Sequence, residues 1–180
     1  MSLDQLIKRC KKNDAQAQSQ LYKLYANKLF SICLKYSRNY AEAEDNLQDA
    51  YITIFKKIDQ FKNQGSVEGW MKRIAINTAL QRYRTAGVFD IINEDQIEDV
   101  TVEIDDDTIN LDFLLNIIQE LPDRYRLVFN LYALDDHSHK EIASLLDIST
   151  GTSKSNLARA RMILKNKIEH YKATVNSQSL

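Results

Sequence analysis

The densest run of side chains equipped for chemistry lies late in the chain. Ser149, Thr152, Lys154, Ser155, Asn156 and Arg159 fall within three helical turns. Short hydroxyls, an amide and cations are the donors that base edges and phosphate oxygens accept. They follow the series Ile142-Ala143-x-x-Leu146-Asp147-Ile148-Ser149, then Gly151-Thr152, Leu157 and Ala160, which is the spacing of a helix-turn-helix. In that arrangement Ile142 and Leu146 face the second helix, and Ala143 is small enough for two helices to cross closely. Ile148 plugs the turn, and the Ser149 hydroxyl caps the second helix by accepting an orphan N–H. Laid in a major groove, such a helix presents its early residues to bases.

Other chemistry is excluded more easily. Asp135, Asp136, His137 and His139 suggest metal ligands, but histidines two apart cannot share a helix face, and acids before a helix suit its dipole. Asp105–Asp107 lack the glycine and terminal glutamate of a calcium loop. No glycine-rich phosphate loop, nucleophile elbow or catalytic carboxylate pair occurs, so neither an enzyme nor a cofactor is expected. Cys10 and Cys33 sit in apolar helical patterns and read as buried thiols. The N-terminus lacks the apolar core of a signal peptide, and no stretch approaches ~18 apolar residues. The expectation is a cytoplasmic protein without membrane insertion.

The elements that must carry these residues are helical. One proline and four glycines in 180 residues leave little to break a helix. Apolar periodicity predicts helices at Leu3–Cys10, from Asp14 to Tyr36 with Leu24 and Leu29 on its buried face, and from about Ala41 to Ile58. Phe61 to Gly69 reads as a loop, with Ser66 as the cap of a fourth helix over Trp70–Arg84 whose face is Trp70, Ile74 and Thr78. The pattern resumes at Leu111, breaks at Pro122 and DDHS, and ends in a long basic helix. Charge divides the chain in the same way. Residues 1–84 hold 15 basic and 8 acidic side chains, 85–112 hold 10 acidic and none basic, and 113–180 hold 9 basic and 7 acidic. Each basic half suits a polyanion; the acidic segment between them repels one. The expected fold is all-α, with two small helical domains joined by an acidic flexible linker. The boundaries are a four-helix domain at 1–84, a linker at 85–110, a helix-turn-helix domain at 111–172 and a frayed polar tail at 173–180. In the linker Ile91, Ile92, Ile97 and Val100 are the apolar exceptions.

Four pieces in order carry a resemblance that covers nearly all of the chain outside the acidic segment. They are AEDNLQDAYITIFKKIDQF at 43–61, GSVEGWMKRIAINTALQRYR at 65–84, LPDRYRLVFNLYALDDHSHKEIASLLDIS at 121–149 and TGTSKSNLARARMILK at 150–165. Together they resemble the extracytoplasmic-function sigma factors, which direct bacterial RNA polymerase to promoters. The resemblance implies that Asp45, Leu47, Gln48 and Asp49 contact the clamp helices of core RNA polymerase. It implies a base pocket at Asn63 to Glu68, including Ser66, for the non-template strand of the −10 element. Asn77 then lies near the captured base, with Lys72, Arg73, Arg82 and Arg84 tracking phosphates. Trp70 falls at a core position of the pattern. The last pieces imply a reader of −35 duplex DNA in which Thr152, Lys154, Ser155, Asn156 and Arg159 contact the site and Arg161 and Lys165 hold phosphates. Family members are commonly held by an anti-sigma factor, so one is expected as a partner beside polymerase and promoter DNA.

Three positions depart from the family pattern. Asp147 replaces a turn glycine, although aspartate tolerates a left-handed backbone better than most residues. Ser153 stands where an apolar residue, often valine, packs the recognition helix. Asn156 stands where arginine is common. Two rival readings compete: a helix-turn-helix regulator that recruits no polymerase, and a helical adaptor for acidic proteins. The first leaves residues 1–84 without a purpose.

Overall fold

Side-chain caps start most helices of this chain. Ser2 and Gln5 form a reciprocal capping box at α1 (Leu3–Cys10). The Asp14 carboxylate accepts the Gln16 and Ala17 amides at the head of α2 (Ala15–Tyr36). Asn39 accepts the Glu42 amide at α3 (Tyr40–Lys57), which tightens into a 3-10 turn at Ile58–Gln60. Ser66 Oγ accepts the Gly69 amide at 3.3 Å, and α4 spans Val67–Thr85. It begins three residues before the expected Trp70, because Gly69 lies inside its first turn rather than in the loop.

The computed structural model describes residues 1–62, 65–89 and 109–178, in two units at Met1–Thr85 and Ala86–Leu180. In the first unit α2, α3 and α4 pack on one another and α1 packs on α2. Leu6, Leu21, Leu29, Ile54, Met71 and Leu80 are buried between them, and so are Cys10 and Cys33. Burial pushes the Cys33 thiol up to about 11. Two expected faces differ. Leu24 is 61% exposed. In α4 the buried residues are Val67, Met71, Ala75, Ala79, Leu80 and Tyr83, while Trp70, Ile74 and Thr78 are half-buried.

In the second unit, Asn110 caps α5 (Leu111–Gln119), and Pro122 stands just outside α6 (Asp123–Phe129), which runs into a π turn at Asn130–Leu134. Ser138 and Glu141 form a second capping box at α7 (His139–Leu146). Asp147 then adopts φ 57° and ψ 49°, the left-handed conformation expected of a glycine there. Ser149 accepts the Thr152 amide at 2.9 Å and opens α8 (Thr150–Gln178). Helices α5, α6 and α7 all pack on α8, burying Ile117, Leu127, Leu131, Ile142, Leu146 and Leu157. The frayed tail expected at 173–180 is helical as far as Gln178, since no glycine or proline follows Gly151. Within the expected linker, Ile91, Ile92, Ile97, Val100 and Asp105–Asp107 lie outside the described residues. Among the described residues no helix is long and apolar enough to cross a membrane.

Candidate nucleic-acid interface

At about 100° per residue, Trp70, Arg73, Asn77 and Arg84 fall within roughly 60° of one another around α4. They form one strip, a cation or amide every turn or two, opposite the buried Met71, Ala75 and Ala79. Its N-terminal end opens into a cavity of about 420 Å³ lined by Phe61, Lys62, Gly65, Ser66, Trp70 and Arg73, among others. Trp70 packs on the core and on Phe61, with ring centroids 5.5 Å apart. It is therefore a core residue that also presents a ring to the cavity. Gly65 holds φ +91°, a left-handed conformation that a side chain rarely adopts. Asn63 lies outside the described residues.

The other two cations expected on this track point elsewhere. Lys72 is bound to Glu68 at 3.0 Å, and Glu68 is also bound to Lys28 at 2.8 Å. Lys28 first and Lys72 second hold the Glu68 carboxyl below its usual range. Arg82 lies about 100° or more around the helix from the strip and faces α3. Its Nη2 donates to Asp49 Oδ2 at 2.9 Å, with Asp45 Oδ2 at 3.9 Å from Nη1. The spacing of basic residues along α4 does not reveal this, because the acids that collect Arg82 are 33 and 37 residues away in sequence.

Asp45, Gln48 and Asp49 are exposed on α3. Leu47 is not: at 7% exposure it belongs to the core and forms the floor of a cavity of about 220 Å³ that Tyr22, Phe30, Tyr40 and Gln48 help to line. The expected cluster is thus divided: Leu47 and Gln48 line an aromatic groove between α2 and α3, whereas Asp45 and Asp49 turn to Arg82 of α4. The α2 aromatics were not singled out from sequence, since Tyr22 and Phe30 fit the pattern of an ordinary amphipathic helix.

On α8 the expected residues divide into two stripes. Thr152, Ser155 and Arg159 share one sector of about 60°, and Lys154, Arg161 and Lys165 share another of about 40°. Lys154 is exposed and the rest are half-buried. Asn156 belongs to neither stripe. It is 1% exposed, on the interior side with Ser153 and Ala160, so it is not presented to a base as expected. Arg161 also lies over the Tyr132 ring, 5.7 Å from its centroid. Among the described residues no group of three or more His, Cys, Asp or Glu is placed to hold a metal ion.

A helical unit with a strip and pocket, and a second unit with a helix-turn-helix, are matched in that order by two family models. Sigma-70 region 2 matches residues 21–88, and Sigma-70 region 4 matches residues 113–164. These define a promoter-recognising sigma factor, and they account for the N-terminal half that a polymerase-free regulator would leave idle. Over 183 residues the chain is 32% identical to the ECF RNA polymerase sigma factor SigW of Bacillus subtilis, covering 93% of this chain and 97% of that one. It is 30% identical to the ECF RNA polymerase sigma-E factor of Haemophilus influenzae, covering 91% and 94%. The chain belongs to the ECF RNA polymerase sigma factors. Its fold is similar to that of the sigma factor RpoE from Bartonella quintana, solved in complex with the anti-sigma factor NepR. That likeness has a TM-score of 0.53 and 22% identity, and covers 84% of this chain and 96% of that one.

Proposed function

We propose that this sigma factor divides its work by surface. Asp45, Gln48 and Asp49, with the groove floored by Leu47, dock on core RNA polymerase. The α4 strip takes the melted non-template strand of the −10 element. Its pocket accepts an unstacked base beside Trp70, and Arg73, Asn77 and Arg84 follow the backbone; Ser66 lines the pocket. A basic track ending in an aromatic-lined cavity is how single strands are held. Lys72 and Arg82 lie off this strip in ion pairs with Glu68 and Asp49, which contribute only about 0–1 kcal/mol each. On α8, Thr152, Ser155 and Arg159 read base edges of the −35 duplex, while Lys154, Arg161 and Lys165 hold its phosphates.

The observation that carries this reading is the alignment of Trp70, Arg73, Asn77 and Arg84 with one cavity on one side of α4. The protein works by binding alone and does so in the cytoplasm, with an anti-sigma factor as a further partner. The boundaries follow the charge: 1–84, an acidic spacer at 85–110, and 111–172. Reconstituted with core polymerase, the chain is expected to give transcripts with defined start sites from genomic promoter fragments. Ultraviolet crosslinking is expected to join Trp70 to the non-template strand. Absence of initiation on every fragment overturns the reading, and crosslinking only to duplex DNA overturns the assignment of α4.

A further inference from the structure

The interior stripe of α8 carries a polar residue where an apolar one packs best. Ser153 is fully buried, yet its hydroxyl has a partner: His139 Nδ1 lies 2.9 Å away across the helix crossing. Whichever tautomer the imidazole takes, one of the two groups donates and the other accepts. The same ring stacks on Tyr132 of the π turn, with centroids 4.7 Å apart and planes 23° apart. Tyr132 in turn lies under the Arg161 guanidinium. His139 is thus held through a ring face by Tyr132 and through Nδ1 by a hydroxyl of α8.

We propose that His139 is a positioning residue for the duplex-reading helix. Its bond to Ser153 keys the rotation of α8 about its axis, and with it the direction of Thr152, Ser155 and Arg159. The proposal rests on the reading of α8 as the −35 reader.

The physical case is one of satisfaction. A buried hydroxyl that loses its only polar partner bears the whole cost of leaving water, whereas an apolar pair of similar shape in the same place is close to neutral. One turn along, Asn156 already sits in this stripe with neither amide atom partnered among the described residues. A small rotation of α8 that lost the His139 contact would therefore orphan a second polar group in the same interior. Apolar side chains impose a looser angular requirement, because burial of apolar surface is non-directional. A buried polar pair that selects one register over its neighbours is a known use of such groups.

The test uses the full chain with four variants: H139F, S153V, the double H139F/S153V, and H139N, whose amide places a polar atom near the position of Nδ1. Hydrogen exchange is followed at the amides of residues 150–160 in the free chain. Upstream-element preference is followed by letting holoenzyme select duplexes from a randomised library. H139F, which orphans the buried Ser153 hydroxyl, is expected to raise exchange in the first turns of α8 roughly tenfold or more, with the amides of α1–α4 unchanged, and to blur the selected sequence. S153V, which removes that hydroxyl and leaves a half-buried imidazole, is expected to raise it less. The double variant and H139N are expected to return within about threefold of the natural chain. Should H139F alone not fold, the double variant and H139N decide, and an unprotected α8 in either overturns the proposal. Wild-type exchange in H139F overturns it too, as does a double variant no better than the two effects multiplied. If exchange follows expectation but holoenzyme selects no upstream sequence, the keying of α8 by His139 stands and the duplex-reading role falls.

Discussion

Arg159 and Lys154 lie on different stripes of α8, and their chemistry separates them further. A planar guanidinium with fixed donors can address two acceptors of one base, whereas a lysine ammonium is a point charge that suits any phosphate. Arg159→Ala is therefore expected to weaken upstream duplex binding by about 1–3 kcal/mol and to relax preference at one position of the site. Lys154→Ala is expected to weaken binding evenly across sequences and to lower the salt slope by about 1. Salt titrations of holoenzyme on fragments that differ in the upstream element distinguish the two; equal losses of specificity would erase the division into stripes. Arg82 is a different case. Its guanidinium is held by Asp49 and Asp45, so its nearest charges are the acids offered to polymerase rather than a phosphate track. Its basic character was legible in the sequence, but its partner was not. Asn156 has the same lesson in reverse: its type suits a base edge, and only the packing of α8 on its neighbours turns it inward.

The caps read from the sequence, Ser66 and Ser149, do accept the Gly69 and Thr152 amides, a local interaction that needs no knowledge of the fold, whereas Ser2, Asp14, Asn39 and Ser138 cap helices without having been read as caps. The buried face of α4 depends instead on what packs against it. Ala75 and Ala79 carry too little apolar surface to announce a core position, so the larger Trp70 and Ile74 claimed the face. The caps also set a pH dependence. The Ser138 amide and then its hydroxyl hold the Glu141 carboxyl below its ordinary value of 4.5. Arg9 first, and then the Ala17 amide, lower Asp14 from 3.8. A carboxyl lowered in the folded state stabilises it at pH values above the unfolded pKa. That contribution disappears as pH falls through the folded value. Melting temperature is expected to hold near neutrality and to fall once pH drops below the ordinary carboxylate range. E141Q is expected to shrink the fall in the C-terminal unit, because glutamine keeps the capping box but does not titrate. An undiminished fall would show that other groups govern the acid response. At the turn, D147G removes a side chain from a left-handed backbone. It is expected to stabilise the unit by up to about 1 kcal/mol, read as a higher melting temperature.

At the scale of the whole chain, the separation of charge is the feature that composition alone conceals. The net charge is −1, yet both units carry basic residues on the faces proposed to meet DNA, and nine acids without a basic residue stand between them at 85–110. Acids in that number are repelled by promoter phosphates, so the intervening segment does not compete with either unit for the same strand. Because each unit has its own buried core, damage to one surface is expected to leave the other intact. Gln48 provides the cleanest probe of docking, being exposed and beside the α2–α3 groove without belonging to the Arg82 cluster. Asp45 adds an exposed charge on the same helix, beside Arg82 rather than in the groove. Q48A and Q48A/D45N are therefore expected to lower affinity for core polymerase in steps, measured by titration of labelled chain. Holoenzyme formed at saturating chain should still select the same upstream duplex. R159A is expected to do the reverse, assembling with core at the natural affinity and losing upstream selection. Independent cores make these effects additive, so the triple variant should show the docking loss and the duplex loss with no further penalty. Were Q48A and R159A each to fail only in upstream selection, the assignment of docking to α3 would be wrong, and the charge map of the two units would have to be read without it.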